Sequence, residues 1–100
     1  MKEVTLLTNS PFTLALSGVI DSGNAEQVYA AVSAFYGQSD SDIVFSCEKL
    51  EFLDSTALGT FVKILKFVKM NGHGLKLTGL NPRLKKLFVI CALDKIMEIE

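Results

Sequence analysis

The chain has 100 residues, of which 49% are hydrophobic and 21% charged, and its ten basic and eleven acidic side chains leave a formal charge of −1. That is enough apolar material for one packed domain, here expected to span 1–100, and too much for a disordered chain. So balanced a charge creates no field that would draw the chain to nucleic acid, to a membrane surface or to an acidic substrate.

The first residues lack a long apolar stretch, and the longest apolar run, Leu87-Phe88-Val89-Ile90-Cys91-Ala92-Leu93, is far too short to cross a bilayer. A cytoplasmic protein with no direct membrane binding is expected. Cys47, after Ile43-Val44-Phe45-Ser46, and Cys91, after Phe88-Val89-Ile90, sit where core residues would and read as reduced, buried thiols. The single histidine, His73, lies in a glycine turn and no C-x-x-C occurs, so neither a metal site nor a cofactor is expected.

Residues 4–7 read as a first strand. Phe12, Leu14 and Leu16 alternate along a second, which Pro11 precedes and Gly18 is expected to end. Asp21, Ser22 and Asn24 offer N-caps for a helix whose apolar positions are Ala25, Val28, Tyr29, Val32, Phe35 and Tyr36, with Gly37 as its stop. Residues 38–41 are polar and read as a loop. Residues 42–47 read as a third strand, and the continuous apolar stretch within it predicts burial on both faces. A second helix starts near Ser55, with Leu58, Phe61, Val62, Leu65 and Val68 inside and Lys63, Lys66 and Lys69 in water, and Asn71-Gly72 ends it. Residues 75–78 alternate as a fourth strand with one face exposed or thinly covered. Asn81 and Pro82 begin a third helix that turns Leu84, Leu87, Phe88 and Cys91 inward and Lys85 and Lys86 outward. Residues 96–99 read as a last short strand.

The order β-β-α-β-α-β-α-β predicts an α/β fold: a small mixed sheet of about five strands flanked by helices. Its first two strands should pair antiparallel and the rest largely parallel. No catalytic signature is present: the chain has no G-x-S-x-G, no phosphate loop ending in Lys-Ser or Lys-Thr, and no G-x-G-x-x-G. A triad on Ser55 would need His73, but the two sit at opposite ends of the second helix, ~27 Å apart at ~1.5 Å rise per residue. A non-enzyme is expected.

The informative segment is Phe52-Leu53-Asp54-Ser55-Thr56-Ala57-Leu58-Gly59. Taken locally, Asp54 or Ser55 caps the second helix. Gly59 resists so plain an account, because glycine early in a helix costs about 1 kcal/mol against alanine; a close approach by another backbone or a partner would explain it. Asp54-Ser55-Thr56-Ala57-Leu58-Gly59 resembles the Asp-Ser-Ser/Thr-Gly/Ala-Leu-Gly motif of the STAS family, which includes bacterial anti-sigma factor antagonists. Leu16-Ser17-Gly18-Val19-Ile20-Asp21 resembles that family's turn after the second strand, without the glutamate that relatives often carry there. Asn71-Gly72 with Leu75-Lys76-Leu77, and Cys91-Ala92-Leu93-Asp94-Lys95-Ile96, resemble its later landmarks.

The resemblance implies a single STAS-type domain acting as a binding switch. In such relatives the serine after the motif aspartate is phosphorylated by a partner that is both a Ser/Thr kinase and an anti-sigma factor. The unmodified antagonist binds that partner and frees a sigma factor, and a Ser/Thr phosphatase resets the switch. Carried over, the acceptor is Ser55, with Thr56 as the lesser alternative. Asp21, Ser22, Asn24, Asp54, Thr56, Leu58 and Gly59 become the expected partner contacts. The resemblance also admits a non-cycling assembly subunit of a lipid-transport or stress-signalling complex.

Overall fold

In the computed structural model, which describes residues 1–37 and 41–100, two strands, β1 (Val4–Asn9) and β2 (Phe12–Ile20), open the fold. Helix α1 (Ala25–Tyr36), strand β3 (Ile43–Leu53), helix α2 (Ser55–Met70), strand β4 (Leu75–Thr78), helix α3 (Pro82–Ile90) and strand β5 (Glu98–Ile99) follow, with a single 3-10 turn at Leu93–Lys95. Apart from Ser41, the loop expected at 38–41 lies outside the described residues.

The strands lie in sequence order, β1-β2-β3-β4-β5, with β1 antiparallel to β2 and every later pair parallel, as the element order requires. Each helix is therefore a crossover to the next strand in the same direction across the sheet. Crossovers of one hand then all fall on one face. The register confirms this. Leu6, Leu14, Phe45, Leu77 and Ile99 pair in turn across all five strands and turn toward the core, whereas the adjacent row of Thr5, Ala15, Ser46 and Thr78 is exposed or half-buried. Residues from α1, α2 and α3 join the inward row in one hydrophobic cluster.

That one-sidedness corrects the expectation for the third strand. Ile43, Phe45 and Cys47 are buried while Val44 and Ser46 are only half so. β3 also runs six residues beyond its expected end at Cys47. The pairing with β2 slips twice: Ala15 to Ser17 spans Ser46 to Lys49, and Gly18 to Val19 spans Leu50 to Phe52. Each slip places an extra residue in β3, as a bulge does, and re-aims the side chains after it. Cys47, Leu50 and Leu53 thus reach the core three residues apart, a spacing that a search for period two passes over. Gly18 does not end its strand. It sits at one of these slips with φ +74°, a left-handed conformation that glycine adopts without a Cβ penalty.

Other departures are local. β1 extends to Asn9, two residues past its expected end, and β5 keeps only Glu98 and Ile99, Ile96 having been drawn into the preceding turn. Phe35 is 39% exposed because Ala25, Val28, Val32 and Tyr36 already fill the inward stripe of α1. Cys91 is exposed at the end of α3: Ala92 takes φ 59°, and this left-handed residue swings Leu93 into the core in place of the thiol. Cys47 remains buried, and desolvation pushes its thiol up to about 12, so it contributes almost no nucleophilic thiolate near neutral pH.

Candidate functional site

β2 and β3 end side by side, Ile20 pairing with Leu53, so the chain leaves the same edge of the sheet twice at neighbouring points. The first exit forms the loop of residues 21–24 and the second forms the head of α2. Loops beyond the carboxyl ends of parallel strands are where α/β sheets place their binding sites.

Asp54 joins the two exits. It has extended backbone (φ −102°, ψ −177°) and caps α2, its Oδ1 accepting from the Ala57 N–H at 2.9 Å. Its Oδ2 accepts from the Ser22 N–H at 3.0 Å, across 32 residues of sequence. The loop is sewn internally as well. Asn24 Oδ1 accepts from the Asp21 N–H and its Nδ2 donates to the Val19 carbonyl, both at 2.9 Å, while Asp21 Oδ1 accepts from the Gly23 N–H at 2.9 Å. Asn24 thus stands at the cap position of α1 but spends its side chain on the loop rather than on the helix.

With Asp54 as the cap, Ser55 is the first helical residue and its side chain is exposed. Its hydroxyl has no hydrogen-bond partner among the described residues. Thr56 is also exposed, and its carbonyl accepts from the Thr60 hydroxyl at 3.2 Å. Leu58 is buried at 6% exposure. Gly59 is exposed, and a Cβ built on it would meet nothing within 4 Å. Outside its own helix, no backbone among the described residues approaches that position, which removes one of the two expected explanations for a glycine there.

Ser55 borders a groove of about 460 Å³ between the head of α2 and the side of α3. Buried Leu53, Leu58 and Leu84 and half-buried Leu87 contribute its apolar lining, together with exposed Phe52, Ile90 and Cys91. Asp54 and Ser55 border it from the α2 side, and Arg83 and Lys86 from α3. Of the expected site residues, the structure brings Asp54, Ser55 and Leu58 to this groove and ties Ser22, Asp21 and Asn24 to its edge; Thr56 and Gly59 are exposed on the same first turns of α2.

Sequence reasoning placed Leu84 and Leu87 inward and Lys86 in water, as the structure does, and misplaced Cys91, which is exposed; what it missed is that these residues together wall a groove. A signal was present. Seven consecutive apolar residues, 87–93, cannot all face inward from a helix that buries one stripe. The surplus is left exposed, as Val89 at 50% and, on the groove itself, Ile90 at 69% exposure.

Because Asp54 both caps α2 and holds the neighbouring loop, Asp54→Ala should destabilise the domain by about 1–2 kcal/mol. Asp54→Asn, which keeps an acceptor for Ala57, should lose less. Urea unfolding curves of the two variants check this order.

No three described His, Cys, Asp or Glu residues are grouped to hold a metal ion, and no described helix is long and apolar enough to cross a membrane. Residues 4–100 match the STAS domain profile. An anti-sigma-B factor antagonist of Bacillus subtilis is 39% identical over 62 residues, 62% of this chain, and the chain spans only 57% of that relative. The anti-sigma-B factor antagonist of Listeria monocytogenes is 32% identical over 85 residues, 85% of this chain and 75% of the relative. Among solved structures, the anti-sigma factor antagonist SpoIIAA in its unphosphorylated form superposes with a TM-score of 0.78 at 23% identity, over 97% of this chain and 87% of that one. Its phosphorylated form gives 0.69 at 22% identity, over 97% and 90%. At such identities the structural likeness speaks for the fold alone, whereas the profile match covers nearly all of the sequence, from β1 to the C-terminal residue. The chain therefore belongs to the STAS domain family.

Proposed function

We propose that this protein is an anti-sigma factor antagonist of the cytoplasm, a binding switch and not an enzyme, whose Ser55 is phosphorylated by an anti-sigma factor Ser/Thr kinase. In this reading the unmodified chain binds the kinase and releases a sigma factor, phosphorylation ends the complex, and a Ser/Thr phosphatase restores it. The relatives' names support the role, and the SpoIIAA structures in two phosphorylation states support the chemistry in a protein of the same fold. The observation that carries the reading is the Ser55 hydroxyl, exposed and without a hydrogen-bond partner among the described residues, beside an open apolar groove. A capping serine would have its oxygen occupied. Here Asp54 does the capping and Ser55 is left available.

The partner surface in this reading comprises Asp21, Ser22, Asn24, Asp54, Thr56, Leu58 and Gly59, with Thr56 the lesser acceptor. Gly59 offers a direct check. Its Cβ space is empty, so Gly59→Ala should stabilise the free domain by about 1 kcal/mol, raising Tm by roughly 4–8 °C. If a partner backbone packs there, the same variant should bind the kinase at least tenfold more weakly, as calorimetry would report.

The deciding experiment mixes the chain with a kinase-like anti-sigma factor from the same genome, ATP and magnesium, and follows intact mass. A gain of one phosphate in wild type and none in Ser55→Ala is expected. No gain despite a stable complex would reject the switch and favour a non-cycling assembly subunit.

A further inference from the structure

The first turn of α2 has little left with which to hold a phosphate on Ser55. The Ala57 N–H is committed to Asp54 Oδ1 and the Leu58 N–H to the Asp54 carbonyl. Only the Ser55 and Thr56 N–H groups remain without a partner among the described residues. The Asp54 carboxylate lies beside them and repels a second anion, and both its oxygens are held by neutral donors rather than by a cation. A dianion there must find its countercharge elsewhere.

The groove supplies it. Arg83 and Lys86 are the cations that line it, both are exposed, and neither forms an ion pair among the described residues. Arg83 is also badly placed for the stability of its own helix. It stands in the first turn of α3, which contains no acidic residue, so its charge opposes the helix dipole. Nothing among the described residues repays that placement, whereas an anion delivered to the groove would.

We infer that Arg83 and Lys86 are the receiver for a phosphate on Ser55: the modified side chain pairs with them across the groove and covers the apolar lining that the unmodified protein leaves open. Phosphorylation then does more than add bulk to an interface. It spends the two cations that flank the groove and closes the groove at the same time. The guanidinium of Arg83 suits the role, since its fork of donors matches phosphate oxygens in pairs.

This inference rests on Ser55 being the modified residue, but its test does not need the kinase. Phosphoserine is placed at position 55 during translation, in wild type, in an Arg83→Gln/Lys86→Gln double variant, and in Lys69→Gln, a control at the far end of α2. The second ionisation of the phosphate is followed by phosphorus NMR against pH, with the urea-unfolded chain as reference. In wild type and in Lys69→Gln it should fall below the reference. In the double variant it should rise relative to wild type by roughly half a pH unit, the size of an exposed ion pair's contribution.

Cys91 lines the same groove and Cys47 is buried, so maleimide labelling of Cys91 reports whether the groove is covered. Phosphorylation should slow labelling severalfold in wild type and leave the double variant unaffected. Equal titration in wild type and double variant, or labelling that phosphorylation does not change, would overturn the inference. A kinase assay with no phosphate transfer would instead count against the proposed switch.

Discussion

In the proposed switch, the chain phosphorylated on Ser55 should bind its anti-sigma partner at least a hundredfold more weakly than the unmodified chain, with almost no loss of fold stability. The two halves of this expectation have separate causes. A phosphoserine adds about −1.5 to −2 charge. Within the domain that charge falls on the first residue of α2, where the helix dipole favours an anion by about 0.3–1 kcal/mol, and Asp54 opposes it by a similar scale. The cap itself survives, because both Asp54 oxygens keep their backbone donors. The net change in the free domain should therefore stay within roughly 0.5 kcal/mol, ordinary for an exposed position.

At the interface no such compensation is available. Docking on the groove would strip water from the phosphate and from the Arg83 and Lys86 cations beside it, and burying such charges in a contact costs several kcal/mol. About 3 kcal/mol corresponds to roughly a hundredfold in Kd. Calorimetric titration of the kinase with phosphorylated and unmodified chain, alongside a melting curve of each, separates the effects. Equal Kd values would reject the switch. A large fall in Tm would mean that phosphorylation acts by unfolding the chain rather than by blocking a surface.

The largest effect on stability is expected from Phe61→Ala, at about 3–5 kcal/mol. Phe61 is 2% exposed, and its ring stands edge-on to Phe45 of β3 and to Phe88 of α3, with both centroid distances 5.7 Å. One side chain thus ties the second helix to the sheet and to the third helix. Its removal leaves a cavity between three elements whose positions are set by other contacts, so little collapse can refill it. Domains of this size have about 5–15 kcal/mol in total, and the variant should melt more than roughly 12 °C below wild type. Phe61→Leu, which refills most of the volume, should cost clearly less. Urea unfolding of the two variants tests the order. Because α3 forms one wall of the groove, Phe61→Ala should also loosen the site some distance from Ser55.

Local signals determined much of this molecule. Period-two alternation located β2 and β4, helical spacing located the inner faces of α1 and α2, and Asn81-Pro82 marked the start of α3. The order of elements was sufficient to predict a mixed sheet with an antiparallel first pair, because connection length and crossover rules act on order alone. The Asp54-Ser55 motif, too, was legible as a strand end followed by a helix head, since capping is a matter of neighbouring residues.

What lay outside local reach depended on contacts between distant segments. The bulges that extend β3 to Leu53 arise from its register with β2, and residues 48–53 alone show no period. The division of labour at the site, with Asp54 accepting from Ser22 and leaving Ser55 unengaged, requires two loops separated by 32 residues to meet. The groove with Arg83 and Lys86 exists because α3 packs beside the head of α2, and Cys91 is exposed because a left-handed Ala92 hands its core position to Leu93. Sequence by itself determined which residues can cap, alternate or line a face. Tertiary structure alone decided which of them meet, because burial and hydrogen-bond partnership belong to pairs of segments and neither segment contains the information about the other.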